Sequence, residues 1–166
     1  IPDMTDASQT AAGPFEGYLC FSVYAAGLAF NRLYKQVLDR FGLTYPQYLV
    51  LVALRQRDGR TVSELGEALF LESNTLTPLI KRLEAAGLVE RRRDTRDERV
   101  VRVSLSDAGR ALAIDIECVP PQIGEAIGID HARLGQMAQT LDELAAGLRR
   151  ARHIAITSVP RCGRSP

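Results

Sequence analysis

The stretch that decides the fold is Ser63–Gly109, which reads SELGEALFLESNTLTPLIKRLEAAGLVERRRDTRDERVVRVSLSDAG. It begins with two short helical segments in quick succession, at residues 63–70 and about 73–86. Ser63 is predicted to be the N-cap of the first segment, and Gly87 is a typical stop for the second. Two short helices joined by three or four residues form a helix-turn-helix.

Two strands are predicted to follow, over Leu88–Arg93 and Arg99–Leu105. The second strand alternates apolar with polar residues, as expected for a strand with one buried face. The charged residues 94–98 form the turn between the strands. A hairpin directly after a helix-turn-helix is a wing, so the predicted fold is mainly α with a small β wing.

Helices are predicted on both sides of this element. Before it, apolar residues recur at helical spacing over residues 14–40, and a second helix covers Pro46–Arg57. After it, a helix begins at Ser106-Asp107 and runs to about Cys118, where Pro120-Pro121 are predicted to stop it. A last amphipathic helix covers about 130–150.

These elements are predicted to form a single domain over residues 14–154, with the winged helix-turn-helix at about 44–105. The first helix has more apolar residues than a helix with one solvent-exposed face needs. It is therefore central in the domain or lies in a dimer interface. The remaining segments are a flexible arm and a disordered tail, at residues 1–13 and 155–166.

Composition limits the class of protein. The chain of 166 residues is 46% hydrophobic and 25% charged, which is typical of a globular protein. Its apolar runs are far shorter than a membrane span, and three scattered cysteines do not suggest a disulfide framework. No Cys or His spacing is typical of zinc. We expect a cytoplasmic protein with no metal and no cofactor.

The basic charge is concentrated where DNA would bind. The net charge is only +1, but residues 81–102 hold eight basic and five acidic side chains. The second helix of a helix-turn-helix lies in the major groove, and wing arginines enter the minor groove. Asp97 is predicted to orient Arg99 in an ion pair. The alternative for Ser73 and Thr75 is that they only cap their helix, although both roles can coexist. The candidate DNA-binding residues are Ser73, Asn74, Thr75, Thr77, Pro78, Lys81, Arg82, Arg96, Asp97 and Arg99.

The stretch Ser63–Gly109 resembles the MarR family of regulators, most clearly in Asp97-x-Arg99 and in Leu105-Ser106-x-x-Gly109. Two upstream pieces, Leu19-Cys20-Phe21 and LTYPQY at residues 43–48, resemble its OhrR branch of organic hydroperoxide sensors. The resemblance implies a homodimer, joined through the first and last helices, that binds an inverted-repeat operator. It implies a wing role for Arg99 and reading-helix roles for Thr75, Thr77, Lys81 and Arg82.

The resemblance also makes Cys20 the candidate redox sensor. Tyr24 lies one turn further along the same helix face, and Tyr34 returns to nearly that face. Because a helix rises about 1.5 Å per residue, Cys20 and Tyr34 lie roughly 21 Å apart in one chain. Tyr34 can therefore support the thiolate only from a partner subunit, and Tyr45 is a further candidate. The alternative is that Cys20 and these tyrosines only pack the dimer core.

Cys118 is the candidate resolving thiol. In two-cysteine members of the branch, a cysteine of about this region forms a disulfide between subunits, and the alternative is that a small external thiol caps Cys20. The sequence thus predicts a repressor, not an enzyme, that releases its operator when organic hydroperoxide oxidises Cys20. Two other readings are a repressor released by a small aromatic effector and, less well supported by motifs, a thiol peroxidase.

Overall fold

The computed structural model describes residues 14, 15 and 17–151. Its helices and strands are α1 Leu19–Leu38, α2 Tyr45–Gln56, β1 Arg60–Thr61, α3 Val62–Leu69, α4 Ser73–Ala85, β2 Val89–Arg93, β3 Val101–Leu105, α5 Asp107–Asp115, α6 Val119–Ile127 and α7 His131–Ala151. Short 3-10 turns cover Asp39–Phe41 and Ile116–Cys118. The described residues up to Val119 form one compact unit and those from Pro120 form another. The predicted arm and tail lie outside the described residues.

The three strands form an antiparallel sheet in the order β1-β3-β2. In this sheet β3 is central, with Val103 opposite Arg91 of β2 and Arg60 of β1. The predicted hairpin of β2 and β3 is confirmed. The two-residue strand β1 was not predicted, because it is too short to show an alternation of its own.

The core of the first unit is apolar and joins the helix-turn-helix to the sheet. Leu76, Ile80 and Leu83 form the buried face of α4, and Val103 is the fully buried centre of the sheet. The remaining fully buried side chains come mainly from α1, α2 and α3: Leu38, Val50, Leu51, Leu54 and Leu65. The winged helix-turn-helix predicted from the sequence is therefore confirmed.

Two helix starts differ from the sequence-based prediction. The N-cap of α3 is Thr61 and not Ser63, since Thr61 Oγ1 accepts from the Glu64 amide at 3.1 Å and Glu64 Oε2 accepts from the Thr61 amide at 2.7 Å. This reciprocal capping box satisfies two amide donors, which Ser63 inside the first turn cannot do. The regular part of α1 begins at Leu19, five residues after the predicted start.

Pro120 and Pro121 begin a helix instead of ending one. The helix α5 ends at Asp115, a 3-10 turn carries the chain to Cys118, and both prolines lie in the first turn of α6. Proline is tolerated there because the first-turn amides have no partner within the helix. The prediction that these prolines end the helix of Cys118 is therefore wrong.

The long helices α1 and α7 keep much of their apolar surface uncovered. On α1, Leu19, Phe21, Val23 and Tyr24 are all more than two-fifths exposed. On α7, no residue is buried, and the stripe predicted from the sequence includes Met137, Leu141 and Leu148, which are 45 to 63% exposed. Monomeric proteins rarely expose such rows of large apolar side chains.

Candidate DNA interface and redox site

The outer face of α4 carries the predicted reading residues. All of them are exposed, while Leu76, Ile80 and Leu83 face the core. The exposed residues are Ser73, Asn74, Thr75, Thr77, Pro78, Lys81 and Arg82. Ser73 does not cap the helix: the N-cap is Glu72, whose carbonyl accepts from the amides of Thr75 and Leu76 at 3.0 Å. Ser73 cannot cap the helix because it lies inside the first turn, and the N-cap position belongs to Glu72.

The wing turn is shaped by two aspartates that bind the backbone. Asp94 Oδ1 accepts from the Arg96 amide at 2.8 Å, and Asp97 Oδ1 accepts from the Arg99 amide at 3.0 Å. Arg96 and Arg99 are both exposed. Among the described residues Asp97 forms no ion pair with Arg99, so the predicted ion pair is wrong. The Asp97 side chain is short and lies two residues before Arg99. It therefore reaches the Arg99 amide more readily than the guanidinium at the end of the long Arg99 side chain.

A notch of about 240 Å³ lies where α3, α4 and the wing meet. Its lining includes Ser63 from α3, Thr77 from α4, and Arg91 and Arg99 from the wing. Arg91 is held there by Glu84, at 2.7 Å from Nε and 2.6 Å from Nη2. Sequence reasoning missed Ser63 and Arg91 as members of this surface, because only the folded chain brings the start of α3 against the wing.

Cys20 is exposed in the first turn of α1, one turn earlier in the helix than predicted. Negative charge is stabilised at this end of a helix by the helix dipole. A cleft of about 370 Å³ surrounds it, lined otherwise by Pro14 and the aromatic residues Phe15, Tyr18, Phe21 and Tyr24. Phe15 and Phe21 stack with ring centroids 4.7 Å apart. The surroundings of the Cys20 thiol within the chain are therefore mainly aromatic.

Three tyrosines cluster at the other end of α1. Tyr34 is only 8% exposed, and its ring centroid lies 4.5 Å from that of Tyr45 and 5.8 Å from that of Tyr48. Burial, followed by Tyr48 and Tyr45, raises the pKa of Tyr34 to about 12, and burial also raises the pKa of Tyr45. These phenols thus remain protonated hydrogen-bond donors at neutral pH. Sequence reasoning missed Tyr48, although its spacing of three from Tyr45 places both on one helix face.

Cys118 lies beside the tyrosine cluster. Its Sγ is 3.2 Å from Arg40 Nη2 and donates to the carbonyl of Asp115 at 3.2 Å. Burial chiefly raises the pKa of Tyr48, with smaller contributions from Tyr45 and Cys118. Cys118 is exposed. The folded chain therefore brings Cys118, Arg40 and Tyr48 together, whereas Cys20 and Tyr24 lie near the opposite end of α1 from Tyr34.

The described residues offer neither a metal site nor a membrane-spanning helix. The described part of the chain contains no group of three or more His, Cys, Asp or Glu side chains arranged to hold a metal ion. None of the helices between Leu19 and Ala151 has the length and hydropathy that a membrane span requires. Cys162 and His153 lie outside the described residues.

Known proteins with similar sequences and structures are transcriptional regulators. The family model of the transcriptional regulator SarA/Rot matches residues 32–116. The HTH-type transcriptional regulator TtmR of Methylorubrum extorquens is 48% identical over 135 residues, covering 79% of this chain and 69% of TtmR. The organic hydroperoxide resistance transcriptional regulator of Bacillus subtilis is 40% identical over 131 residues, covering 77% of this chain and 89% of that protein.

Among solved structures, reduced AbfR bound to DNA superposes with a TM-score of 0.62 at 36% identity, covering 76% of this chain and 92% of AbfR. AbfR is a protein of Staphylococcus epidermidis. The matches to TtmR and to the Bacillus subtilis regulator both exceed 30% identity and cover more than two thirds of the relative. They agree with the winged helix-turn-helix described above. The chain therefore belongs to the MarR family of DNA-binding transcriptional regulators, and within it to the OhrR-like branch.

Proposed function

We propose that this protein is a homodimeric repressor that leaves its operator when an organic hydroperoxide oxidises Cys20. The observation that carries the proposal is the position of Cys20, exposed in the first turn of α1 inside an aromatic cleft. The cleft gives an apolar peroxide a surface on which to bind beside the sulfur. We place this reaction in the cytoplasm, where a free thiol stays reduced until a signal arrives.

The homodimer is supported by the uncovered apolar faces of α1 and α7. Large side chains such as Phe21 and Leu148 stay 41% and 63% exposed in the single chain. A second copy would cover the same faces on both subunits, which is the geometry of a twofold interface. A twofold dimer presents two copies of α4 and so binds an inverted repeat.

A twofold dimer would also complete the redox site. Cys20 and Tyr34 are separated by roughly 21 Å along α1, so they meet only if the two α1 helices run past each other in opposite directions. Tyr34, Tyr45 and Tyr48 of one subunit would then face Cys20 and Tyr24 of the other. Protonated phenols would donate hydrogen bonds to the thiolate, as expected from the raised pKa of Tyr34.

The position of Cys118 supports a disulfide between subunits. Cys118 lies next to the tyrosine cluster of its own chain, close enough to Tyr48 to raise the pKa of that phenol. If that cluster faces the partner's Cys20, Cys118 is the nearest resolving thiol among the described residues.

The proposed oxidation has two steps, formation of a sulfenic acid at Cys20 and of a disulfide with Cys118. The Cys20 thiolate attacks the terminal oxygen of the hydroperoxide, the O–O bond breaks, and the alkoxide leaves and takes a proton to become an alcohol. Cys118, as a thiolate, then attacks the sulfur of the sulfenic acid, a disulfide forms, and hydroxide leaves and is protonated to water. Closing this bond would pull on the junction after α5 and change the spacing of the two α4 helices.

On the operator, we assign base-edge and phosphate contacts to α4 and minor-groove contacts to the wing. The α4 residues are Ser73, Asn74, Thr75, Thr77, Pro78, Lys81 and Arg82, and the wing arginines are Arg96 and Arg99. Asp97 has a different role from the one predicted, because it shapes the turn through the Arg99 amide.

The test uses the full-length reduced dimer and an operator selected by that protein from a random duplex library. Binding is measured for wild type, Cys20→Ser and Cys118→Ser before and after a small excess of cumene hydroperoxide. We expect wild type to release DNA and to run as a disulfide-linked dimer without reductant. Cys20→Ser should retain DNA, and Cys118→Ser should accumulate sulfenic acid without the linked dimer. Cys162→Ser is the matched control and should behave as wild type.

Equal responses of wild type and Cys20→Ser to the peroxide would refute the redox mechanism. The notch of about 240 Å³ between α3, α4 and the wing would then be the candidate site for a small aromatic effector. Repeated turnover of peroxide with a thiol reductant, without any change in DNA binding, would instead indicate a peroxidase.

A further inference from the structure

Asp94 is the acidic residue at the base of the wing turn, directly after β2. Its side chain is only 11% exposed, although it lies in a hairpin that carries six arginines over residues 89–105. One carboxylate oxygen accepts from the Arg96 amide at 2.8 Å, and the other accepts from the Nε of Arg102. Both oxygens of Asp94 are therefore engaged within the wing.

Arg102 extends this contact to the helix-turn-helix. It lies on the central strand β3, opposite Arg92 of β2 and Thr61 of β1. Its Nη1 donates to the carbonyl of Gly59 at 3.0 Å, in the turn between α2 and β1. A continuous polar path thus runs from the Arg96 amide through Asp94 and Arg102 to the turn that precedes α3.

The charges of the wing explain why this pair matters. Arg92 and Arg102 lie directly opposite each other on neighbouring strands, an arrangement of like charges that destabilises a sheet. Glu90 binds Arg92 at 2.7 Å and Asp94 binds Arg102, so each arginine has its own carboxylate. The Arg96 amide, followed by Arg102, lowers the pKa of Asp94 and keeps this carboxylate ionised at neutral pH.

We infer that the Asp94–Arg102 pair is a positioning device for the wing. It fixes the turn that carries Arg96 relative to α3 and α4, and so sets operator affinity without touching DNA. The inference goes beyond the redox mechanism proposed above, since it concerns the reduced protein alone. It assigns a role in operator binding to Asp94 and Arg102. Because their charges are opposite in sign, charge alone does not indicate this role.

The direction in which Asp94→Ala changes DNA affinity distinguishes two roles for Asp94. If Asp94 were only a charge near DNA, its removal would strengthen binding to the phosphates. If it positions the wing, its removal weakens operator binding. We expect a roughly tenfold loss of operator affinity, the effect of about one charge-assisted hydrogen bond. The slope of log affinity against log salt should change by much less than one, because Arg96 keeps its charge and still reaches the DNA once the turn is ordered.

Arg96→Ala is the matched control. As a residue proposed to contact DNA directly, it should lower the salt slope by about one. Arg102→Gln should resemble Asp94→Ala in operator affinity even though it removes positive charge instead of negative charge. Operator binding by Asp94→Ala that equals or exceeds that of wild type would overturn the inference.

A second measurement needs no operator DNA and does not depend on whether Asp94→Ala folds. Asp94→Asn keeps a side-chain oxygen that can accept from the Arg96 amide but loses the charged partner of Arg102. We expect amide hydrogen exchange at Arg96 to be faster in Arg102→Gln and Asp94→Asn than in wild type, with far-ultraviolet circular dichroism unchanged. Unchanged exchange at Arg96 would overturn the inference. Failure of wild type to bind any DNA would instead refute the proposed function.

Discussion

The Nη2 atom of Arg40 lies 3.2 Å from the Sγ of Cys118, although 78 positions separate these residues in the chain. Arg40 also stacks over Phe41, with its Cζ 4.6 Å from the ring centroid, which limits the orientations of the guanidinium. The sulfur therefore has a fixed cationic neighbour. A cation beside Cys118 favours the thiolate that acts in the second step of the proposed oxidation.

Replacing Arg40 with Ala should slow formation of the Cys20–Cys118 disulfide. A hydrogen bond to a charged group contributes about 1.5 kcal/mol, so we expect a roughly tenfold slower second step. Formation of sulfenic acid at Cys20 should keep its wild-type rate. Both rates can be followed by non-reducing electrophoresis and a sulfenic acid probe after one equivalent of cumene hydroperoxide. Arg93→Ala, an exposed arginine of the wing, is the control, and an equal slowing in that variant would contradict the assignment.

The capping box of α3 makes a prediction about stability. Thr61→Ala removes the acceptor of the Glu64 amide and should lower the free energy of unfolding by about 1 kcal/mol. Ser63→Ala removes a hydroxyl two residues away that does not cap the helix, and should change it by less than about 0.5 kcal/mol. Urea denaturation of the two variants measures the difference. A larger loss of unfolding free energy in Ser63→Ala than in Thr61→Ala would indicate that Ser63 caps α3, as predicted from the sequence.

Gly109 allows α5 to pack against the start of β2. A Cβ at this position would lie 1.9 Å from the carbonyl oxygen of Leu88, a backbone atom that cannot move independently. Gly109→Ala should therefore lower the free energy of unfolding by about 3 kcal/mol, the upper end of the cost of overpacking. Gly124→Ala is the control, because its Cβ would make an ordinary contact of 3.7 Å with Leu134. Similar unfolding midpoints for the two variants would contradict this close approach.

Burial of Tyr34 predicts a pH dependence on the alkaline side. Its pKa is about 12 in the folded chain and 10 in the reference state, so the folded form holds its proton more tightly. The contribution to stability is complete below pH 10 and is lost as the pH rises from 10 towards 12. The free energy of unfolding should fall over this range, and less steeply in Tyr34→Phe. An equally steep fall in the variant would show that Tyr34 is not the group responsible.

Much of the fold could be predicted from the sequence because its signals are local. The alternation of Val101, Val103 and Leu105 is a property of adjacent residues, and so is the stop at Gly87, which adopts a positive φ. Each of these signals acts within one helix or one strand. The winged helix-turn-helix was accordingly correct, with its helix and strand ends within two residues of those observed.

Other features depend on residues that are distant in sequence. The contact of Arg40 with Cys118 requires the end of α1 to meet the turn after α5, and Arg102 reaches Gly59 only because β3 is the central strand. The sequence by itself determined most of the elements and the candidate cysteines, since local patterns encode helices, strands and reactive residue types, but it did not predict β1 or α6. Only the tertiary structure decided which charged group each side chain contacts, because that choice depends on the packing of the whole unit.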